Sequence, residues 1–204
     1  MEIVDKYRTI EAPSSGDYKE KGSKFPTLAY PVYSENEIKE ILQNLRKEYY
    51  DARHHCYAWR LGADKKRYRA NDDGEPSSSA GKPILGQILS KDLTNILIVV
   101  IRYFGGTKLG VSGLISAYRT AAADAIANAK IIEKTVNDII EVQFDYLAMN
   151  DVMKIIKDGN LKQIDQTFDL HCSLTLNIRQ SESQIAIDKL NKIDSVKCTM
   201  LRVE

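Results

Sequence analysis

Residues 96–118 read ILIVVIRYFGGTKLGVSGLISAY, and the fold turns on how this stretch divides. Residues 96–101 are six consecutive apolar side chains, mostly β-branched, which is how a strand covered on both faces reads. After the glycine-rich GGTKLGVSG, the residues Leu114, Ile115, Ala117, Tyr118, Ala121, Ala122, Ala125, Ile126 and Ala129 recur at helical spacing, and their small side chains let a helix lie close to the sheet. A buried strand, a glycine loop and a packed helix in succession predict an α+β domain with layers on both sheet faces.

Upstream, Ser34 and Glu37 form a capping-box pattern ahead of Ile38, Ile41, Leu42, Leu45 and Tyr49, which predicts a helix over about 34–50. HCYAWRL at 55–61 alternates as a strand does, with His55, Tyr57, Trp59 and Leu61 on one face and Cys56, Ala58 and Arg60 on the other. Tyr7–Ala12 suits a short strand, and the prolines of KGSKFPTLAYPVY suit an edge strand or turns. GADKKRYRANDDGEP reads as polar and turn-rich, and Pro83 as the start of a short helix carrying Ile84, Leu85, Ile88 and Leu89.

From about residue 136 the pattern restarts. DIIEVQFDY reads as a strand, Leu147–Lys157 as a helix stopped at Gly159, and Leu161–Phe168 as a strand. Leu170, Cys172, Leu174, Leu176 and Ile178 alternate along another strand, Ser181 with Gln184 is set to cap a helix, and Val196–Val203 is a last strand. This β-α-β-β-α-β order within a short segment is the ferredoxin-like arrangement. Two domains are expected, residues 1–135 and 136–204.

Composition adds exclusions. Of 204 residues, 43% are hydrophobic and 28% charged, with a net charge of +1, as in ordinary globular domains. Residues 1–135 carry 21 Lys/Arg against 17 Asp/Glu, so a mild positive excess sits in the first domain. Cys56, Cys172 and Cys198 are too few and too far apart for a disulfide framework, which favours a reducing cytoplasm. The start lacks the pattern of a secretory leader and no run is long and apolar enough to span a bilayer, so no membrane role is expected.

Several stretches carry candidate chemistry. A strand entering GGTKLGVSGL and then a helix presents free backbone N–H groups, a seat for phosphate or carboxylate beside Lys108, while the same glycines also suit tight turns and close packing. The Walker and dinucleotide spacings are both absent, so no cofactor is expected. Asp72, Asp73 and Glu75 in NDDGEPSSSAG suit a cation or paired carboxylates, and equally a turn. No nucleophile elbow surrounds Ser77, Ser78 and Ser79. Neighbouring strand residues point to opposite faces, so His54 and Cys56 cannot share a metal with His55, and no metal site is expected. His171 reads as a packed or solvent-facing residue. Arg53 to Arg69 interleaves Arg60, Lys65, Lys66, Arg67 and Arg69 with Tyr57, Trp59 and Tyr68, a mixture used on single-stranded nucleic acid and found also on solvated loops.

HHCYAWRLG at 54–62, DDGEPSSSAGKPIL at 72–85 and RYFGGTKLGVSGLISAY at 102–118, in this order and spacing, resemble the IMPACT/YigZ family. The resemblance is close over about residues 18–130. It implies a first domain similar to the second domain of a small-subunit ribosomal protein and to domain IV of elongation factor G. The second domain is implied to be similar to domain V of that factor.

Carried over by position, the family's patch comprises His55, Arg60, Asp72, Asp73, Gly74, Glu75, Pro76, Ala80, Gly81, Lys82, Arg102, Tyr103, Gly105, Gly106, Lys108, Leu109, Gly110 and Tyr118. Ser78, Ser79, Ser112 and Ser116 depart from the residues common in relatives, and the loss of a basic residue at Ser116 weakens a phosphate reading of that helix end. The eukaryotic relatives are translation regulators. A non-catalytic cytoplasmic regulator of translation or its stress response is therefore expected, one that binds RNA, the ribosome or a translation-related protein. Arg60, Lys82, Arg102, Gly105, Gly106, Lys108 and Gly110 would meet anions, beside a surface motif of His55, Asp72, Asp73, Gly74, Glu75, Pro76 and Tyr103. Two rivals remain: a hydrolase or transferase acting on a phosphate-bearing small molecule through the carboxylates, and a protein-interaction module with no nucleic-acid role.

Overall fold

The computed structural model describes residues 5–168 and 172–203. Leu170 and His171, on which two of the expectations fall, lie outside the described residues. The fold is mixed α/β, with three sheets and five α-helices among the described residues. It divides into two compact units: the larger spans Tyr7–Lys134, and the smaller takes the chain from Thr135 on together with Asp5 and Lys6. The expected boundary at 135/136 placed those two N-terminal residues with the larger unit. No described helix is long and apolar enough to cross a membrane.

In the larger unit the strands are β1 (Lys6–Ile10), β2 (Ser14–Glu20), β3 (Ser23–Pro31), β4 (His54–Leu61), β5 (Arg67–Asn71), β6 (Ile96–Arg102) and β7 (Ile131–Thr135). The helices are α1 (Glu35–Glu48), α2 (Gly81–Ser90) and α3 (Gly110–Ala127). β2, β3, β6, β4 and β5 form one antiparallel sheet in that order, and β1 pairs with β7. The apolar run at 96–101 is its central strand. Ile96, Ile98 and Val100 face α2 and α3 with Cys56, Ala58 and Tyr118, while Leu97, Val99 and Ile101 face α1 with Tyr57, Trp59 and Leu61. All six are fully buried, and each such side chain contributes about 1.5–3 kcal/mol of transfer free energy.

Ser34 caps α1 by accepting from the Glu37 N–H at 3.2 Å, and Glu37 reaches back to the Tyr33 N–H at 2.8 Å, a capping box shifted by one residue.

Two local expectations change, and two strands form that the periodicity does not predict. β3 is an interior strand although it contains Pro26, because its ladder to β6 runs from Thr27 to Pro31 and resumes only as a Lys24–Tyr103 bridge, so the proline sits where no N–H is needed. SSGDYKE forms β2 without an apolar pattern, since Gly16 lets that strand press onto α3: a Cβ there would lie 2.6 Å from the Ala125 nitrogen. RYRAN, read as part of a loop, is the edge strand β5, whose basic side chains face outward. IIEKT, left unassigned, is β7.

The smaller unit follows the order β8 (Asn137–Phe144), α4 (Met149–Asp158), β9 (Lys162–Thr167), β10 (Cys172–Arg179), α5 (Gln180–Leu190), β11 (Lys197–Val203). Its antiparallel sheet runs β11-β8-β10-β9. Ile140, Val142, Leu174 and Leu176 pack on Val152, Ile156, Ala186 and Leu190 of the two helices. α5 starts at Gln180 with no side-chain cap. Ser181 therefore does not cap it, because its N–H is turned to the Asp5 carboxylate instead.

Candidate functional site

The acidic turn is built by its own carboxylates. Asp73 (φ +42°) and Gly74 (φ +87°) are consecutive left-handed residues, and the Glu75 N–H closes the turn on the Asp72 carbonyl at 2.9 Å, the mirror-image geometry that Asp-Gly favours. The Asp72 carboxylate accepts from the N–H groups of Ser78 (2.8 Å), Ala80 (3.0 Å) and Gly81 (2.8 Å), which holds the start of α2. Burial raises its pKa, but those three backbone bonds outweigh burial, and the net shift is downward. Asp73 binds Arg46 of α1 at 2.7 Å and accepts from the His55 N–H at 2.6 Å, so it ties the turn to α1 and β4.

Glu75 points inward. One carboxylate oxygen accepts from Arg102 Nη1 at 2.6 Å and from the Tyr118 hydroxyl at 2.8 Å. Tyr118 is fully buried, and burial pushes its hydroxyl far above the usual range. Burial likewise pushes the Cys56 thiol up to about 12, and its sulfur lies 3.0 Å from the Asp72 carbonyl, so this cysteine is an inert packing residue. The Arg102 guanidinium lies 5.7 Å from the ring centres of both Phe25 and Phe104. Its Nε is buried with no hydrogen-bond partner.

The glycine loop comes to the same place. Gly105 must be glycine because a Cβ would sit 1.8 Å from the Gly22 carbonyl carbon in the β2–β3 turn. Its N–H donates to Ser23 Oγ at 3.1 Å. Gly110 (φ +72°) opens α3, whose first turn has no side-chain cap and leaves N–H groups free. The two motifs share a groove of about 660 Å³, lined by Glu75 and Pro76 of the first and Lys108 to Val111 of the second, together with Arg102, Phe104 and Arg53.

The two stretches thus share one groove, but not every expected residue joins it. Glu75, Pro76, Arg102, Tyr103, Lys108 and Gly110 line it. Arg60 does not: it lies six residues along β4 from His54, about 20 Å by strand rise, with its guanidinium on the Lys65 and Leu93 carbonyls. Lys82 is exposed on α2 and lines no part of the groove. Gly105 and Gly106 are exposed loop residues and do not line it. Asp72, Asp73 and Gly74 hold the turn behind the wall.

Two members of the expected surface motif are not on the surface. Glu75 is spent on Arg102, and His55 is 3% exposed, with its Nδ1 3.9 Å from the Asp73 carboxylate. Burial, then the Arg46 charge, lowers the His55 pKa. Sequence reasoning did not single out Phe104, 59% exposed, or Val111, 53% exposed. An aromatic residue between a basic residue and a glycine pair was the available signal for Phe104. Among the described residues no group of three His, Cys, Asp or Glu side chains could hold a metal ion.

An antiparallel sheet carrying a turn-plus-glycine-loop groove defines an IMPACT-type domain. Residues 21–126 match the Impact N-terminal domain, and the chain belongs to the IMPACT family. It is 30% identical to the IMPACT family member YvyE of Bacillus subtilis, over 79% of this chain and 76% of that one. It is 33% identical to the IMPACT family member YigZ of Escherichia coli, over 72% of this chain and 74% of that one. A crystal structure of a hypothetical protein superposes with a TM-score of 0.71 at 27% identity, covering 98% and 99% of the two chains.

Proposed function

We propose that this protein is a non-catalytic cytoplasmic regulator of translation or its stress response, and that it acts by binding single-stranded RNA, free or on the ribosome, in the groove of its larger unit. The observation that carries this reading is Phe104, an exposed ring lining the groove together with Arg53 and Lys108. A base stacked on such a ring contributes about 1–3 kcal/mol, and the cations and free N–H groups of α3 meet phosphate. Family membership supports the link to translation. The strand order β11-β8-β10-β9 supports a ferredoxin-like smaller unit similar to domain V of elongation factor G. We read the larger unit as the counterpart of domain IV.

The carboxylates offered for a hydrolase are engaged in holding the turn, α2 and Arg102, which favours binding over hydrolysis. The test is titration of a labelled single-stranded RNA across a salt series. Each neutralised phosphate contributes a slope of about 0.7 in log K against log salt, so replacing Arg53 and Lys108 together by alanine is expected to flatten the slope by about 1.4. An unchanged slope sinks the groove as the contact.

A further inference from the structure

We propose that the groove takes a phosphorylated end of an RNA strand, with the terminal phosphate at the start of α3 and the terminal base on Phe104; this rests on the RNA reading above. Size is the first reason. At about 660 Å³ the groove has the volume of a small-ligand pocket rather than of the extended channel that tracks many nucleotides. It therefore holds one or two nucleotides, and an end enters such a recess more readily than the middle of a chain.

Charge is the second reason. Three cations line the groove, Arg53, Arg102 and Lys108, with two carboxylates, Asp51 and Glu75. Glu75 is matched to Arg102, whereas Asp51 accepts from the neutral Tyr103 hydroxyl at 2.8 Å, a bond that leaves its charge unbalanced by any cation among the described residues. Arg53 and Lys108 make no ion pair among the described residues. Three cations against two carboxylates leave the lining at net +1, and with the positive end of an 18-residue helix, about +0.5, this fits a terminal phosphate, which carries up to about two negative charges, better than an internal phosphodiester with one.

The third reason is Arg102, only 8% exposed yet lining the groove, with Nη1 on Glu75 and Nε bonded to nothing. Fixed by Glu75, backed by Phe25 and edged by Phe104, this guanidinium is a built part of the groove lining rather than a solvated surface charge. Phe104 stands 5.7 Å from the same guanidinium and lines the groove together with the first residues of α3, which suits a base and its phosphate taken side by side.

The experiment measures binding of one short single-stranded RNA in three forms, carrying a 5′-phosphate, a 3′-phosphate or hydroxyls at both ends, with a nucleoside monophosphate as competitor. One phosphorylated form is expected to bind about tenfold tighter than the hydroxyl form, the worth of one more charge at a helix end. Arg53→Ala with Lys108→Ala should abolish that preference, and Phe104→Ala should weaken all three forms alike. Equal affinity for the three forms, still weakened by Phe104→Ala, overturns end recognition and leaves the RNA reading standing. Binding of no form, or binding indifferent to these variants, overturns both. A monophosphate that competes as well as the phosphorylated strand overturns the strand end in favour of a free nucleotide.

Discussion

Replacing Glu75 by alanine removes the only carboxylate among the described residues bonded to the Arg102 guanidinium, in a place where the two side chains are 4% and 9% exposed. Deleting one partner of a buried pair costs about 3–5 kcal/mol, because the survivor is left charged in a poor solvent. The Tyr118 hydroxyl loses its acceptor too, and an orphaned buried donor costs about 1–3 kcal/mol, a part of which overlaps the first figure. A loss of about 4 kcal/mol is therefore expected for Glu75→Ala.

The triple variant Glu75→Leu, Arg102→Met, Tyr118→Phe removes every polar partner and keeps volume, and it should recover most of that loss. The chain's single tryptophan, Trp59, is 7% exposed in the larger unit, so its fluorescence in a urea titration reports on that unit. With a slope of about 2 kcal/mol per molar urea, Glu75→Ala should lower the midpoint by about 2 M. A midpoint within about 0.5 M of the parent's, or a triple variant less stable than the single one, would refute the claim that this pair is a desolvated unit.

Gly105→Ala should be among the most damaging single-methyl changes, since its Cβ would overlap backbone rather than a flexible side chain; little change in thermal midpoint would show that the β2–β3 turn can retreat. Burial holds the folded-state pKa of His55 below the ordinary 6.5, so the stability it contributes is fully present above that pH and is lost as pH falls through the folded value; a urea series from neutral to mildly acid pH should show a steeper decline than in His55→Gln. Cys198, partly exposed, should be labelled first by a thiol reagent in the native protein, ahead of the buried Cys56 and Cys172, and early loss of the Cys56 thiol would contradict its burial.

Periodicity made α1, β4, β6, α3 and the order of the smaller unit legible, because in each the buried face repeats at the spacing of its element. It could not reveal β2 or β5. The residues of β2 are small and polar where Gly16 meets α3, and those of β5 are basic because an edge strand faces water. The groove was half legible: its two motifs were visible as neighbours in sequence, but which side chains pointed into it depends on pairing. Glu75 and Arg102 lie 27 residues apart and vanish into each other. Phe104 stands exposed because the loop after β6 passes over the β2–β3 turn, a contact made possible by Gly105 and Gly22 rather than by any property of phenylalanine.

The division of labour within DDGEP follows from this. Asp72 fixes α2, Asp73 fixes α1 and β4, and Glu75 fixes Arg102 at the end of β6 and α3, so one short turn joins five elements. An acidic cluster facing solvent would repel an anionic strand; these carboxylates face the scaffold, and the cations left over face the groove. The same acidic residues that make a catalytic reading attractive in the sequence are therefore what allows a nearly neutral chain to present a locally positive recess. Weakening Asp72 should act on binding only through the position of α2 and the turn, whereas loss of Lys108 should act on binding with stability unchanged. Measuring both quantities on both variants separates scaffold from contact: a Lys108→Ala protein that unfolds early, or an Asp72→Asn protein that is stable yet binds differently with salt, would reverse the two roles.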